Sequence, residues 1–482
     1  MPYEHLSQFL DTLSANGHLA RVADTVDPVS ELPALIRRAC GERDGGPAVL
    51  CQRVGEAKFP LVANLFGGTR LLASLDADSP ETVICRLTDW RASLNMGVAA
   101  EPSKTSNPLL RLSRLLPRFQ KTAFVQQVIR MGKDVDLAEF PFPRWSVESA
   151  PSITNAVVFF PGTSPGQPQV EQPALQAADA TALTVHWTAH HAGPAAYEEA
   201  RRQGKPIPVA VVLGADPALI WAAGAPCPAG LSPLQLASIV RGSGLNLVRG
   251  RTVELDLPAD AEIVIEGYVD PLEAPSGRGS VATGLGTVTG RTDLPLLRIT
   301  AITHRANPVL PVTVRHPSPG EADSFLRLSA ALLESELRLL YPAVERLAIV
   351  PTGELPRVLF VSLRKDYPGL ARQVMHALWG QRWLTGLKCI VAVDAGHPLD
   401  PAAVWQTVAM CVDPERDVMV MKGPADFDDH ALWPGFGSRM GIDATRKRPD
   451  EGGIEWPESL ESAVPLRSRL DYLWSKAGWN RP

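Results

Sequence analysis

The spacing of hydrophobic positions changes character twice along the chain. Leu6, Phe9, Leu10 and Leu13 recur at helical spacing over residues 4–15, and Gly17 follows as a stop signal. His18–Val22 reads as a short strand, and Pro28–Arg38 as a helix with Leu32, Leu35 and Ile36 on one face. Pro47–Cys51 and Phe59–Asn64 read as strands, with Gly67-Gly68 as a turn. These elements predict a small α/β unit over 1–105 that ends in a polar, proline-containing linker, Ala100–Pro108. From 106 to 320 short β-rich runs dominate. Strands are predicted at Val157–Phe160, Leu183–Trp187, Val209–Leu213, Thr252–Leu257, Glu262–Tyr268 and Leu296–Thr303, with helices at Ala195–Gln203 and Ser232–Arg241. Thr163–Ala180 shows no period and reads as a loop, as does the small-residue stretch Ala222–Ala225. A barrel or sandwich with inserted helices fits this part.

Beyond residue 321 helices and strands alternate. A long helix, Ser324–Tyr341, precedes strands at Leu347–Val350, Arg357–Leu363, Lys388–Val393 and Asp417–Lys422, with helices at Gly369–Gly380 and Pro401–Cys411 between them. That order predicts a three-layer α/β domain over 321–482. Its last helix, Leu460–Ala477, has Leu466, Leu470 and Leu473 on one side, a face suited to a partner subunit or to its own domain.

The totals narrow the function classes. A chain of 482 residues exceeds one ordinary core, so two or three domains are expected. A net charge of −5 without a basic cluster argues against a nucleic-acid partner. The six cysteines lie far apart with no CxxC pair, as in reduced cytoplasmic proteins. The start, MPYEHLSQFLDTL, lacks a basic segment followed by an apolar one, and no apolar run is long enough to span a bilayer. A soluble, cytoplasmic protein is expected.

Chemistry concentrates between Leu183 and Pro233. Three of the ten histidines, His186, His190 and His191, fall within six positions beside Trp187. A density of imidazoles like this marks an acid/base or metal site. Glu266, inside a β-rich segment, is a structural residue or a general acid with a raised pKa. Ser276 lacks a G-x-S-x-G context, and GLGTVTG at 284–290 does not open a helix, so neither a hydrolase elbow nor a dinucleotide fingerprint is indicated.

Several stretches together resemble the UbiD family of decarboxylases, which use prenylated FMN. They are L-x-x-F-L-x-x-L with G-x-L-x-x-V at the start, PVAVVLGADPALIWAAGAPCPAGLS, LPADAEIVIEGYV, YPGLARQVMHALWG, DPERDVMV and SRMGIDAT. The resemblance implies an α/β (α+β) fold in three parts: an N-terminal α/β domain, a split β-barrel holding the flavin, and a C-terminal oligomerising α/β domain. It implies that His190 is the cofactor-adjacent, metal-ligating histidine, with His191 as the alternative one register away. It also implies cofactor contacts at His186, Trp187, Ala222, Ala223, Ala225 and Lys388.

The family's chemical residues are mostly absent. Its N-x-G-x-Y-R corresponds to the region 172–179, QPALQAAD, without the Asn or the Arg. Its E-G-P-F-G-E corresponds to Ser276-Gly-Arg-Gly-Ser-Val281, without either glutamate. Its metal-binding Glu falls on Pro233. A lone imidazole is too small a set for a hard cation, so the divalent metal and K+ of the family are not expected here. Arg278, in the rewritten loop, is a candidate carboxylate or phosphate clamp. Three readings stay open. The first is a carboxy-lyase on an unsaturated or aromatic carboxylic acid, working with prenylated FMN and with His190, His191, Arg278 or Glu266 as altered acid/base groups. The second is a non-catalytic subunit that partners a competent UbiD-like homologue. The third is a cofactor-free enzyme in the remodelled pocket. A homodimer or higher homo-oligomer is expected in each case.

Overall fold

The computed structural model describes residues 3, 5–96, 113–145, 149–162, 168–188, 191–282, 288–313, 320–350, 356–425, 436–452 and 464–477. The Ala100–Pro108 linker and His190 lie outside them. At the N-terminal end, α1 (Leu6–Ala15) precedes β1 (Leu19–Val26), α2 (Glu31–Cys40), β2 (Ala48–Val54), β3 (Leu61–Ala63), α3 (Arg70–Ser74) and α4 (Pro80–Met96). Gly17 has a φ of +71°, which suits a chain leaving a helix. α4 was not expected from the sequence. Its Val83 and Leu87 are nevertheless buried one turn apart on one face.

The middle of the chain is built on a nine-stranded sheet. Its strands are β5 (Val128–Met131), β6 (Ser152–Ile153), β7 (Ala156–Pro161), β8 (Pro168–Glu171), β9 (Ala174–Asp179), β10 (Ala182–His186), β11 (Ile207–Leu213), β14 (Ile263–Val269) and β17 (Leu296–His304). The order is β6-β9-β10-β17-β14-β11-β7-β8, with β5 on β17, and no pairing joins β6 to β8 among the described residues. β4 (Arg118–Gln120), β12 (Asn246–Arg249) and β13 (Asp256–Pro258) form a small sheet beside it, and β15 (Gly277–Ala282) pairs with β16 (Val288–Leu294) in a hairpin. Inserted between the strands are α5 (Gly193–Gln203), α6 (Pro217–Gly224) and α7 (Pro233–Arg241). β18 (Leu310–Val312) then returns to pair in parallel with β3, so the N-terminal sheet is completed by a strand some 250 residues downstream.

The C-terminal part holds α8 (Glu321–Leu340), β19 (Val344–Val350), β20 (Val358–Leu363), α9 (Leu370–Trp379), β21 (Cys389–Asp394), α10 (Pro401–Cys411), β22 (Val418–Pro424), β23 (Phe436–Asp443) and α11 (Val464–Lys476). Its sheet runs β19-β20-β21-β23-β22. On β20, Leu359, Val361 and Leu363 join one core with Leu370, Val374 and Leu378 of α9, while Phe360 joins Val404 of α10 in another. Alternate side chains thus feed two cores, which makes the three layers expected. Among the described residues no helix is long and apolar enough to cross a membrane.

Three local expectations were wrong. The described part of Thr163–Ala180 contains strands β8 and β9, whose polar composition gives way to ladder pairing with β7 and β10. Ala222 and Ala223 lie in the last turn of α6 rather than in a loop, because Asp216 caps Ala218 N–H at 2.9 Å and Pro217 starts a helix there. The strand expected over Thr252–Leu257 is a turn followed by the short β13, because a buried carboxylate gathers the amides of 251–253.

One buried acid sets a pH dependence. Glu262 is 3% exposed, accepts from Val309 N–H at 3.1 Å and lies 3.6 Å from the Arg305 guanidinium. Burial outweighs both partners and pushes its pKa from 4.5 up to about 7. Between those values the folded chain binds more protons than the unfolded one, so stability falls as pH rises through that window. Glu262→Gln keeps the acceptor and removes the titration. At pH 8 it should exceed the wild type by up to about 3 kcal/mol, and near pH 4.5 the two should match. Denaturant unfolding across pH checks this, and parallel curves would contradict it.

Candidate functional site

β10 is buried at all five positions. Beneath the β15–β16 hairpin the reason is steric: a Cβ at Gly277 would come within 2.9 Å of Thr184 Cγ2, and one at Gly279 within 2.5 Å of Gln176 Oε1. The two glycines let the hairpin lie directly on β9 and β10. Arg278 stands between them and is exposed. His186 ends β10 and is buried. Trp187 packs edge-on to Phe160 with ring centres 6.1 Å apart and lies 6.4 Å from Tyr197 of α5. Gly193, the first residue of α5, is fitted against the Trp187 indole, where a Cβ would come within 2.1 Å of Nε1.

His191 is 9% exposed. Its Nδ1 accepts the Thr188 backbone N–H at 3.0 Å. An amide can only donate, so Nδ1 carries the lone pair and Nε2 the proton. The next two amides, Ala192 and Gly193, are taken by the Glu171 carboxylate, with Gly193 N–H at 3.3 Å. Glu171 ends β8 and is 8% exposed. Burial raises its pKa, opposed by these amides and by the Arg382 guanidinium. Sequence reasoning missed Glu171 because the segment was read as loop.

Gln172 follows immediately and turns to the other end of the site. Its Nε2 donates to the Ile220 carbonyl of α6 at 3.0 Å, and its Oε1 lies 2.6 Å from where a Cβ on Gly224 would be. Two adjacent residues after α9 reach the same region. Arg382 donates to the His191 carbonyl, and Trp383 Nε1 donates to the Gly224 carbonyl at 2.8 Å. Ala222 is fully buried, whereas Ala223 and Ala225 are half-buried. Ala223, Gly224 and Ala225 thus present only small residues at the end of α6. Lys388, half-buried, stands just before β21.

The structure thus brings together the start of α5, the ends of β8 and α6, and the turn at 382–383. Glu266 is elsewhere engaged. It is fully buried and accepts from Arg251 N (3.0 Å), Thr252 N (2.6 Å), Thr252 Oγ1 (3.1 Å) and Val253 N (3.2 Å). With its acceptors filled by the 251–253 turn, this carboxylate holds structure and is a poor fit for a general acid. Pro233 opens α7 behind the Ser232 cap. Among the described residues no three His, Cys, Asp or Glu side chains gather as a metal-binding group. The α6 carbonyls are met by N–H donors and His191 Nδ1 by an amide. Among the described residues, which leave out His190, these atoms are a poor fit for the family's cation, whereas the small residues at the end of α6 suit a flat ring.

Comparison with known proteins gives a consistent picture. The chain matches the models of the N-terminal (10–89), Rift-related (118–317) and C-terminal (326–444) domains of 3-octaprenyl-4-hydroxybenzoate carboxy-lyase. An uncharacterized protein of Aquifex aeolicus is 32% identical, with 99% of each chain covered, and one of Archaeoglobus fulgidus is 31% identical over the same shares. Among solved structures, the vanillic acid decarboxylase of Sedimentibacter hydroxybenzoicus in its closed form superposes with a TM-score of 0.84 at 21% identity, covering 99% of each chain. An evolved dimeric form of the UbiD-class enzyme HmfF from Pelotomaculum thermopropionicum, in complex with prFMN, gives 0.75 at 25% identity, covering 98% of this chain and all of that one.

Proposed function

We propose a decarboxylating function on the premise that the chain belongs to the UbiD family of carboxy-lyases, whose three domain models match it in order. The substrate class is a small aromatic or unsaturated carboxylic acid. The observation that carries this reading is the junction beside His191, where the 382–383 turn bonds both the start of α5 and the end of α6. Prenylated FMN would lie against Ala223, Gly224 and Ala225, with Lys388 as its phosphate contact. When bound, the flavin supplies an electron sink for the pair left as CO2 departs. His191, with its proton on Nε2, is the group in this chain to protonate the carbon that loses CO2. Exposed Arg278 receives the incoming carboxylate. The exposed Trp405 and Met410 of α10 and Val420 of β22 suit self-association.

One observation favours a second reading, a flavin-free subunit that partners a competent homologue: Glu171 already fills the amides at the start of α5, where an anionic phosphate would be drawn. Co-expression with a flavin prenyltransferase separates the two. A coloured protein carrying one modified flavin per chain by native mass supports the carboxy-lyase. Colourless protein that co-purifies with a second UbiD-like chain would establish the alternative.

A further inference from the structure

A cleft lies where α1 and the β3–α3 connection meet the start of α6, at the end of that helix away from Ala223–Ala225. It measures about 540 Å3 counting its open mouth, a size common among small-molecule sites. Leu6 and Phe9 of α1, Phe66 before α3 and Ile220 of α6 give it apolar walls. Phe9 and Phe66 stack with ring centres 6.0 Å apart. Two carboxylates, Asp216 and Asp260, line the same cleft. His5, also on its lining, meets the Ser7 hydroxyl through Nδ1 at 2.7 Å.

The two carboxylates differ in what already satisfies them. Asp216 pairs with the Arg241 guanidinium at 3.2 Å. It also takes the first amides of α6. Ala218 N–H donates to its carboxylate at 2.9 Å, and Leu219 and Ile220 N–H donate to its carbonyl at 2.9 and 3.0 Å. Pro217 has no N–H to offer. A helix start usually draws an anion, but this one is already filled. Asp260 has a neutral partner instead, the Asn246 amide at 2.8 Å. Arg305 reaches only the Asp260 carbonyl, at 3.4 Å, and spends its charge on Glu262. Among the described residues the cleft thus holds one carboxylate that no cation matches, beside an apolar wall. That combination selects a positive head on an apolar body.

We propose that this cleft is a binding site for a compact organic cation, a primary ammonium group carried on a single ring. The ammonium donates to Asp260, and the ring lies against Leu6, Phe66 and Ile220. Carboxylic acids, the substrate class proposed above, are repelled by Asp260 and find no free amide at the start of α6. The eight residues of α6 separate this cleft from the candidate site by about 12 Å. The proposal goes beyond the carboxy-lyase reading and does not depend on it.

The test is calorimetric titration of the full chain with benzylamine, benzyl alcohol, benzoate and methylammonium. Benzylamine should bind once per chain, and the alcohol on the same body roughly tenfold more weakly or worse. Benzoate and methylammonium should give no saturable heat. Asp260→Asn keeps an acceptor for Asn246 but removes the charge, and should weaken benzylamine on the order of tenfold or more. Leu6→Trp fills the cleft and should abolish binding. FMN added beforehand should leave the benzylamine affinity unchanged, which separates this cleft from the site at the other end of α6. Melting temperature confirms that each variant is folded, and should Leu6→Trp fail to fold, Asp260→Asn decides. Absence of benzylamine binding overturns the proposal, as do equally tight benzoate binding, displacement by FMN, or an unchanged affinity in Asp260→Asn. Failure of FMN itself to bind counts against the carboxy-lyase reading alone.

Discussion

Glu266→Ala should cost on the order of 3–5 kcal/mol of stability, the largest single-residue loss predicted for this chain. Glu266 is fully buried and its carboxylate receives three backbone amides and one hydroxyl from the 251–253 turn. Two positions along β14, Tyr268 donates its hydroxyl to Thr252 O at 2.7 Å, so one face of the strand holds the turn from two points. Removing the carboxylate leaves the buried Val253 amide and the part-buried donors of Arg251 and Thr252 without their acceptor. Glu266→Gln keeps one acceptor oxygen but turns an amide N–H2 toward the remaining donors, so it should fall between the alanine variant and the wild type. Denaturant unfolding measures both. A loss below about 1 kcal/mol for the alanine variant, the size of one ordinary hydrogen bond, would mean that the turn is held by other contacts.

His191→Asn should fold as the wild type does yet release CO2 some 10²–10⁴ times more slowly, the usual worth of a positioned proton donor. The asparagine carbonyl sits near the place of the imidazole Nδ1, so it can still accept the Thr188 N–H that ties the 188–191 turn. It cannot deliver a proton, the role proposed for His191 Nε2–H. Flavin content should be unchanged, which separates lost chemistry from a lost site. His191→Ala should lose both the turn and the rate. An unchanged rate in flavin-loaded His191→Asn would remove His191 from the proposed mechanism and leave Arg278 as the remaining described candidate. Arg278→Ala, assayed alongside, reports on substrate capture through KM.

Much of the architecture was legible along the chain because it rests on periodicity and punctuation. α10 was predicted at the bounds observed, Pro401–Cys411. α5 and α7 were expected at Ala195–Gln203 and Ser232–Arg241, close to their observed bounds, and the β-branched strands β7, β11, β14 and β17 from composition. β8 and β9 were not, since PQVE and ALQAAD carry no strand signal of their own and owe their conformation to neighbours. Their loss from the reading hid the two residues that matter most at the site, Glu171 and Gln172. An acidic residue followed by an amide, in a segment bounded by prolines, was the available signal, and its meaning depended on which helix ends lay beside it.

By itself the sequence determined the three-part α/β order, the family and the histidine cluster, since each is a property of residue type and spacing. Only the tertiary structure decided which polar groups meet at the candidate site. It set Glu171 on the amides of α5, and Gln172 and Trp383 on the carbonyls of α6. It gave His191 its tautomer and committed Glu266 to a turn. It also brought β18 back to the N-terminal sheet. These outcomes depend on which groups meet across distances of tens to hundreds of residues. Burial then forces every polar atom that meets there to find a partner, and no local pattern records that pairing.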